Sequence, residues 1–410
     1  MKQFSFLPVV IAITFVLAVA PATPAATQYK YKILHAFTGG KDGGSPASSL
    51  VLDDRGNPYG TTYAGGTESG CPYPYNGGCG VIFELLPKAD GRWRERVLFD
   101  YVKSTGGATE LQPLLFDSAG NLFGSTVALE PGCCGAYIFE LTPGSGQWKF
   151  NPIYDAGYCL VFDQAGNLYG IIPPGGIGEL SPGPNGWTYT DLYDFPPDSV
   201  SGIDSPLSWD ARGSLYGTSV FGGNGPPKCL GSGGCGTAFQ LAPNGDGTWT
   251  YHVLWRFAAT RTDGYYPYAG LTVDASGTAY GATAYGGKYG NGTFFKLTPT
   301  KTGLWKETIL YQFPNCNDGC VPSFTLVADK AGNLYSSGAG GLDCGGISCG
   351  TVFKFSPQKD GSWKYSVVHK FNGNDGAFPY GVVLDDKGNI FGTTMQGGKY
   401  NLGVAFEITP

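Results

Sequence analysis

Hydrophobic and polar residues alternate in short runs along most of the chain, and seven of these runs lead into the same turn. The turn starts with Asp, has Gly three residues later and an aromatic residue two positions beyond that Gly, as in Asp329-Lys-Ala-Gly-Asn-Leu-Tyr335. Its seven copies begin at Asp53, Asp117, Asp163, Asp210, Asp274, Asp329 and Asp385. Alternation with a period of two predicts β-strands with one buried face. Asp followed by Gly predicts a tight hairpin turn between two strands.

Each turn belongs to a unit of four predicted strands. The first strand precedes the Asp, the second contains the aromatic residue, the third has a central Phe and ends at Pro, and the fourth opens with Trp in six copies. The Phe residues are Phe83, Phe139, Phe239, Phe295, Phe353 and Phe406. The turns are 64, 46, 47, 64, 55 and 56 residues apart. Four antiparallel strands at this period predict an all-β fold, a β-propeller of seven four-stranded blades.

The N-terminal segment Tyr29–Phe37 has the pattern of a fourth strand, whereas the seventh unit reaches Pro410 after only three strands. We therefore expect the N-terminal strand to pair with the last blade. This pairing would close the ring and remove an exposed sheet edge. A linear stack of hairpins is the alternative. We expect residues 27–410 to form one propeller domain.

Residues 1–26 differ from the rest of the chain. Lys2 precedes an apolar run from Phe6 to Ala20, and small residues follow it, which is the order of a secretory signal peptide. A retained anchor helix is the alternative. We expect a secreted protein, extracellular or periplasmic, with no membrane span after the signal is removed.

Composition narrows the possible partners. The formal net charge is −6, and Lys and Arg form no run, which argues against nucleic acid or an anionic membrane as partner. Charged residues make up 14% of the chain and Gly occurs 67 times, which favours short strands joined by turns over helices.

Eleven cysteines fit an oxidising compartment, in which disulfides persist. Four local pairs are predicted to tie down loops: Cys71 with Cys79, Cys229 with Cys235, Cys316 with Cys320, and Cys344 with Cys349. We expect Cys159 to bond with one of the vicinal residues, Cys134 or Cys133. Metal binding is the alternative reading. No two pairs have zinc-finger spacing, so no metal site is predicted.

The stretch Gly381-Val-Val-Leu-Asp-Asp-Lys-Gly-Asn-Ile-Phe-Gly-Thr-Thr-Met-Gln-Gly-Gly398, followed by Gly403-Val-Ala-Phe-Glu-Ile-Thr-Pro410, resembles the tandem "GloVer" repeat of secreted bacterial proteins. It is more loosely similar to NHL-type propeller repeats. The resemblance covers nearly the whole chain after the predicted signal peptide. It implies an extracellular or surface-attached propeller, usually with a separate anchoring segment, and it brings no catalytic residues. No such segment is found before Pro410, so surface attachment stays open.

The topology selects one face for binding. Loops between the second and third strands, and connections between blades, must emerge on the same side of the ring, and all eleven cysteines map there. This arrangement, variable loops on a rigid scaffold, is typical of a binding surface. Its aromatic residues are the candidate ligand contacts: Tyr63, Tyr73, Tyr75, Phe221, Tyr265, Tyr266, Tyr285, Tyr289 and Tyr400. Such rings suit a glycan or a protein partner, although packing among the loops explains any single one equally well.

Catalysis is the less favoured hypothesis. Of three histidines, His35 and His369 occupy equivalent packing positions, and His252 has no recognisable partner. The second strands, which we expect to line the channel, offer hydroxyls and no acid. The unrepeated acids Glu68, Glu110, Asp204, Asp263 and Asp343 lie in loops. A propeller glycosidase or polysaccharide lyase needs two converging carboxylates. We therefore predict a monomeric binding module without cofactor or catalytic residues; a glycosidase or lyase and a structural envelope protein are the alternatives.

Overall fold

The computed structural model describes residues 28–46, 48–68, 71, 78–108, 112–127, 137–144, 148–172, 175–195, 200–201, 203, 206–223, 229, 233–258, 262–322, 324–346 and 348–410. The predicted signal peptide, residues 1–26, lies outside these ranges. Within them the chain forms seven antiparallel blades arranged as a propeller, as the repeat predicts. The helix described there is a single 3-10 turn, Lys103–Thr105, and no helix of these ranges is long and apolar enough to cross a membrane.

The strands follow the predicted units. The chain begins with β1 (Lys30–Ala36). Blade 1 contains β2 (Val51–Leu52), β3 (Pro58–Thr61), β4 (Val81–Pro87) and β5 (Trp93–Asp100). Blade 2 contains β6 (Gly107–Ala108), β7 (Leu115–Phe116), β8 (Leu122–Val127), β9 (Tyr137–Thr142) and β10 (Lys149–Asp155). Blade 3 contains β11 (Tyr158–Phe162), β12 (Leu168–Ile172), β13 (Gly176–Gly183) and β14 (Gly186–Tyr193).

The second half of the ring carries extra short strands on its loops. Blade 4 contains β15 (Val200–Ser201), β16 (Ser208–Trp209), β17 (Leu215–Ser219), β18 (Phe221–Gly222), β19 (Thr237–Pro243) and β20 (Trp249–Arg256). Blade 5 contains β21 (Gly264–Tyr265), β22 (Leu271–Val273), β23 (Ala279–Thr283), β24 (Tyr285–Gly286), β25 (Thr293–Pro299) and β26 (Trp305–Gln312). Blade 6 contains β27 (Cys320–Pro322), β28 (Val327–Ala328), β29 (Leu334–Ala339), β30 (Thr351–Pro357) and β31 (Trp363–Lys370). Blade 7 contains β32 (Ala377–Leu384), β33 (Ile390–Gln396) and β34 (Val404–Thr409).

The N-terminal strand completes blade 7. Strand β1 pairs antiparallel with β34, with Lys32 opposite Glu407 and Lys30 opposite Thr409, so the sheet order is β1-β34-β33-β32. This confirms the predicted closure. The first and last strands of the ring therefore share one sheet, and neither end of the blade series is left as an exposed edge.

The repeated Asp stabilises its hairpin turn through its own carboxylate. Asp329 Oδ1 accepts backbone N–H groups of Ala331 and Asn333, both at 2.9 Å, and Gly332 takes a φ of +77° that suits glycine. Burial raises the pKa of Asp329, but hydrogen bonds from Asn333 and its neighbours outweigh this effect and hold the pKa below its ordinary value. The repeated Asp is thus a structural residue, as the sequence indicates.

The core lies between the blades. The Phe residues of the third strands are fully buried in all six blades that carry one. At the outer rim, aromatic side chains of neighbouring fourth strands stack in pairs, for example Tyr311 on Tyr365 at 4.8 Å and Tyr31 on His369 at 4.1 Å. His369 is therefore a packing residue, as predicted.

One expectation about the channel is wrong. The hydroxyl-bearing residues of the second strands do not line it; they are buried within the blades (Thr61, Thr62, Ser125, Thr126, Thr218, Ser219, Thr283, Thr393 and Thr394). The first strands line it instead, because each blade runs from its first strand at the axis to its fourth strand at the rim.

Candidate functional site

Four disulfides constrain the loops on the predicted binding face. They join Cys71 with Cys79, Cys229 with Cys235, Cys316 with Cys320, and Cys344 with Cys349, the four pairs that the sequence predicts. Each spans four to eight residues, so each ties down one loop and does not connect blades. We refer to this side of the ring as the loop face.

Cys159 is buried at the entry to blade 3. Its N–H donates to Gln112 Oε1 at 3.0 Å, and its thiol donates to the Ile203 carbonyl at 3.2 Å. Cys133 and Cys134 lie outside the described residues, so the pairing of Cys159 with Cys134 or Cys133 stays a prediction.

A recurrent motif joins neighbouring blades on the loop face. In four blades the connection that enters the first strand has Gly, two further residues and then Pro, and the residue before Pro has a left-handed backbone: Ser45 (φ 50°), Tyr266 (58°), Val321 (47°) and Phe378 (62°). This conformation costs a non-glycine residue about 1–2 kcal/mol. We call this segment the junction motif.

The junction motif is held by hydrogen bonds to the preceding blade. The N–H of the left-handed residue donates to a carbonyl just before a loop glycine: Tyr266 to Cys235 at 3.0 Å and Phe378 to Cys349 at 2.9 Å. Ser45 donates in the same way to Leu402 at 2.7 Å, across the closure of the ring. The strained backbone therefore brings a side chain to the loop face at a fixed place in each of these blades.

Four of the predicted aromatic contacts come together on blades 4 and 5. Tyr265 and Tyr285 face each other across the β21–β24 ribbon with ring centroids 5.8 Å apart. Tyr266 lies 5.1 Å from Tyr265 and 5.6 Å from Phe221. Tyr285 is the most open of the four, with 41% of its surface exposed. We call Phe221, Tyr265, Tyr266 and Tyr285 the aromatic patch.

The remaining predicted aromatics do not join the patch. Tyr289 and Tyr400 are exposed at equivalent places in two loops, each beneath the ammonium group of the lysine before it. Tyr63 packs against the core between blades 1 and 2. Tyr73 and Tyr75 lie outside the described residues.

The axial channel is lined by the first strands and, on the loop face, by Ser348, Gly350 and Phe378. Its volume is about 530 Å³, and Tyr268, two residues after Tyr266, contributes to its wall. Phe324, Phe378 and Tyr380 form an aromatic rim at the mouth, with Phe324 5.1 Å from Tyr380 and Phe378 6.3 Å from it. Sequence reasoning missed these three residues, although the junction motif marks Phe378 by its place before a proline.

The channel wall is uncharged. The described residues that line it are apolar, apart from Ser, Thr and Tyr hydroxyls, and include no Asp, Glu, His, Lys or Arg. Of the unrepeated acids, Asp343 accepts the N–H of Gly346 in its own loop, and Glu68 does not line the channel. Glu110 and Asp204 lie outside the described ranges. The acids that the structure describes thus do not converge at the mouth.

Asp263 has a different role from the other loop acids. It is 1% exposed, accepts Trp255 Nε1–H at 3.2 Å and is hydrogen-bonded to Glu307. Burial first, and then the neighbouring Asp263, raise the pKa of Glu307 to about 9. The carboxyl pair lies at the outer rim between blades 4 and 5, away from the channel wall. Within the described part of the chain, no group of three His, Cys, Asp or Glu side chains could hold a metal.

Comparison with known sequences agrees with the predicted resemblance. Residues 228–410 match the profile described as the Gloeobacter/Verrucomicrobia repeat. This stretch covers the C-terminal part of the ring from the β18–β19 loop onward. No curated protein matches the sequence significantly.

The chain is also similar to solved structures at low sequence identity. The chain is similar to PorZ of Porphyromonas gingivalis, a bacterial surface component of the type-IX secretion system, with 14% identity and a TM-score of 0.51 over 88% of this chain. It spans 46% of the PorZ chain. A luciferin-regenerating enzyme has 12% identity and a TM-score of 0.44, covering 93% of this chain and 95% of its own. A gluconolactonase from Xanthomonas campestris has 15% identity and a TM-score of 0.41, covering 72% and 84%.

Proposed function

Because the chain carries the Gloeobacter/Verrucomicrobia repeat on a closed seven-bladed propeller, we propose that it is a secreted, non-catalytic binding module. It recognises an extracellular glycan or protein through the loop face. The four disulfides and the predicted signal peptide support an oxidising, extracellular location. PorZ is also described as a surface component, but the similarity to it concerns the fold alone.

The observation that carries this proposal is the aromatic patch. Four rings from two blades lie within 6.1 Å of their neighbours on the loop face, and one of them is 41% exposed. Aromatic rings present flat apolar surface to the C–H face of a sugar or to a protein side chain, and tyrosine adds a hydroxyl for orientation.

The patch is organised before a ligand arrives. Tyr265 and Tyr285 are fixed as a cross-strand pair, and the backbone of Tyr266 is tied to Cys235, whose disulfide closes the neighbouring loop. A surface that needs little ordering on binding loses less conformational entropy to association. The rings therefore suit recognition better than a set of mobile loop side chains would.

The chemistry of the channel supports a non-catalytic role. Glycoside cleavage needs two carboxyl groups about 5–10 Å apart on either side of the scissile bond. The channel wall, as far as the structure describes it, carries no acid, and the buried Asp263–Glu307 pair is at the rim.

A glycan array probed with the purified protein tests the proposal. We expect selective binding that Tyr285→Ala weakens at least roughly tenfold, because it removes the most exposed ring of the patch. Tyr289→Ala is the matched control, an exposed tyrosine on the same face outside the patch, and it should leave the affinity unchanged. Equal binding by wild type and Tyr285→Ala would contradict the assignment, and turnover of a bound polysaccharide would contradict the non-catalytic role. A silent array would exclude the glycan and leave a protein ligand.

A further inference from the structure

We propose that the closure of the ring is a pH-sensitive latch, in which acid holds the N-terminal strand β1 on blade 1 and rising pH loosens it. The latch consists of His35, Asp42 and Glu95, which meet at the junction between blades 7 and 1. The proposal does not depend on what the loop face binds. It rests on the contacts of these three side chains and on a comparison with the junction between blades 6 and 7.

The three side chains of the latch come from different segments. His35 lies on β1, Asp42 lies in the connection from β1 to blade 1, and Glu95 lies on β5 at the rim of blade 1. His35 Nε2 and Asp42 Oδ2 are 3.0 Å apart, and the two side chains are only 22% and 17% exposed. The latch therefore links the strand that closes the ring to the blade on which that strand packs.

The carboxyl groups of Asp42 and Glu95 oppose each other. Glu95 Oε1 is buried and has no hydrogen-bond partner among the residues that the structure describes. Burial first, and then the neighbouring carboxylate of Asp42, raise the pKa of Glu95 to about 7. Ionisation of Glu95 therefore places a second negative charge beside Asp42 in a partly buried site, which weakens the contact between β5 and the connection.

The charged neighbours of Glu95 on its own sheet do not neutralise it. Arg94 and Arg96 flank Glu95 on β5, but side chains alternate along a strand, so both lie on the opposite face of the sheet. There Arg96 pairs with the buried carboxylate of Glu84. Leu85, the residue opposite Glu95 on β4, is apolar.

The cations of β1 and of the connection are also placed elsewhere. Lys32 of β1 points toward blade 1, but its ammonium group donates to the Gly91 carbonyl at 2.7 Å, in the turn before β5. Lys41, next to Asp42 in the connection, is exposed. Among the described residues, the charge of the latch is therefore set by His35, Asp42 and Glu95.

The junction between blades 6 and 7 contains the same His–Asp pair without the glutamate. His369 Nε2 and Asp375 Oδ2 are 3.0 Å apart, and both side chains are 19% exposed. Tyr31 stacks on His369 with ring centroids 4.1 Å apart. Glu95 holds in blade 1 the place that Tyr31 holds in blade 7, since each lies two residues after the aromatic residue that opens its fourth strand. The scaffold therefore does not require an acid at this place.

The pH dependence of the latch follows from the protonation of Glu95. Its pKa is about 7 in the folded protein and near the ordinary value of 4.5 once the junction opens. The stabilising contribution of the protonated group is fully present below about pH 4.5 and is lost as the pH rises through 7. These two values limit the increase of the open population between pH 6 and pH 8 to about tenfold, and solvent around the partly exposed carboxyl group lowers it.

Hydrogen exchange of β1 measures the opening of the latch. Exchange of the amides in Lys30–Ala36 is followed by mass spectrometry at pH 6 and pH 8, and each rate is divided by the intrinsic amide rate at that pH. We expect the wild-type ratio to rise about three- to tenfold from pH 6 to pH 8. The rise should disappear in Glu95→Gln, which stays neutral, and in Glu95→Tyr, which reproduces the neighbouring junction.

Two controls separate the latch from general effects of pH. Strand β31 carries the same His–Asp pair beside Tyr31, so its corrected exchange should stay nearly constant. Glu307→Gln, at the junction between blades 4 and 5, should leave the rise in β1 unchanged. A wild-type β1 without the rise would overturn the latch, and a rise that persists in folded Glu95→Gln would overturn the role of Glu95.

Discussion

Glu307 occupies a position at which most blades carry an aromatic ring. Each fourth strand opens with an aromatic residue. The side chain two positions after this residue stacks on a side chain of the preceding blade, namely the one six positions after that blade's own opening aromatic residue. The stacked pairs are Tyr31–His369, Phe150–Phe99, Tyr189–Tyr154, Tyr251–Tyr193 and Tyr365–Tyr311. Between blades 4 and 5 these positions are Trp255 and Glu307, and Asp263 is hydrogen-bonded to both. A carboxyl pair thus replaces one stacking contact of the rim.

The raised pKa of Glu307 makes the stability of this junction depend on pH. The folded protein keeps Glu307 protonated up to a pKa of about 9, whereas the unfolded chain ionises near the ordinary value of 4.5. Its stabilising contribution is therefore fully present below about pH 4.5 and is lost as the pH rises toward 9. Glu307→Gln, which stays neutral, should match wild type in free energy of unfolding near pH 4.5. It should exceed wild type by roughly 1–3 kcal/mol at pH 8.5.

Urea unfolding at the two pH values measures this difference. Asp386→Asn is the control, because its carboxyl group is almost fully exposed and its substitution should change stability equally little at both pH values. A Glu307→Gln difference that does not grow with pH would show that the junction does not hold a protonated carboxyl group.

At the scale of single residues, the repeat distinguishes structural residues, which recur in every blade, from residues that occur in one blade only. It predicts that the seven Asp residues form turns, and the hydrogen bonds of Asp329 confirm this role. It could not predict the partner of Asp263, because Glu307 lies on the fourth strand of the same unit, more than forty residues away. The distance between these two side chains depends on how the sheets of neighbouring blades pack, and the pattern of residues along a strand does not encode that packing.

The junction motif depends on glycine in the blade before it. Gly350 precedes β30, has a φ of +87°, and a methyl group added there would lie 2.1 Å from Pro379 Cδ of the next blade. Gly361 has nearly the same φ, +82°, but nothing lies within 4 Å of an added methyl group. Comparing alanine substitutions at Gly350 and Gly361 therefore separates the cost of backbone strain from the cost of a clash between blades.

Alanine at these two positions should give unequal losses of stability. Gly361→Ala should cost about 1–2 kcal/mol from backbone strain alone, and Gly350→Ala should cost a further 1–3 kcal/mol, approximately, because the junction must move to relieve the clash. Denaturant unfolding of the two variants measures both values. Equal losses would mean that Pro379 does not pack on Gly350 as described.

At the scale of elements, strand patterns predicted the blades better than they predicted the channel. Alternation and turn residues located the four strands of each unit, but the radial position of a strand does not appear in its sequence. The first strands include runs as short as two residues, such as Val51–Leu52, and so are hard to recognise in the sequence. The longer, hydroxyl-rich second strands were predicted to line the channel in their place, but their hydroxyl-bearing residues are buried within the blades. The Gly-x-x-Pro spacing before the first strands was a usable signal for Phe378 and Tyr266.

At the scale of the whole molecule, closure makes the loop face one surface. The channel wall contains residues from six blades, and the aromatic patch spans two, so both depend on a fixed ring. The repeat count and the strand-like start of the chain predicted this closure. Which loop aromatics would meet could not be predicted, since loop conformations are set by disulfides and ribbons such as β21–β24.

The most direct test of the account is whether residue 32 lies beside residue 407. These residues are opposite each other in the β1–β34 pairing, within the separation that a disulfide can bridge. We expect Lys32→Cys with Glu407→Cys to give an intramolecular cross-linked peptide by non-reducing mass spectrometry and a higher unfolding midpoint. Lys149→Cys with Glu407→Cys, whose first position lies in blade 2, should give neither. A folded Lys32/Glu407 double variant without this cross-link would contradict the closed ring on which the loop face and channel depend.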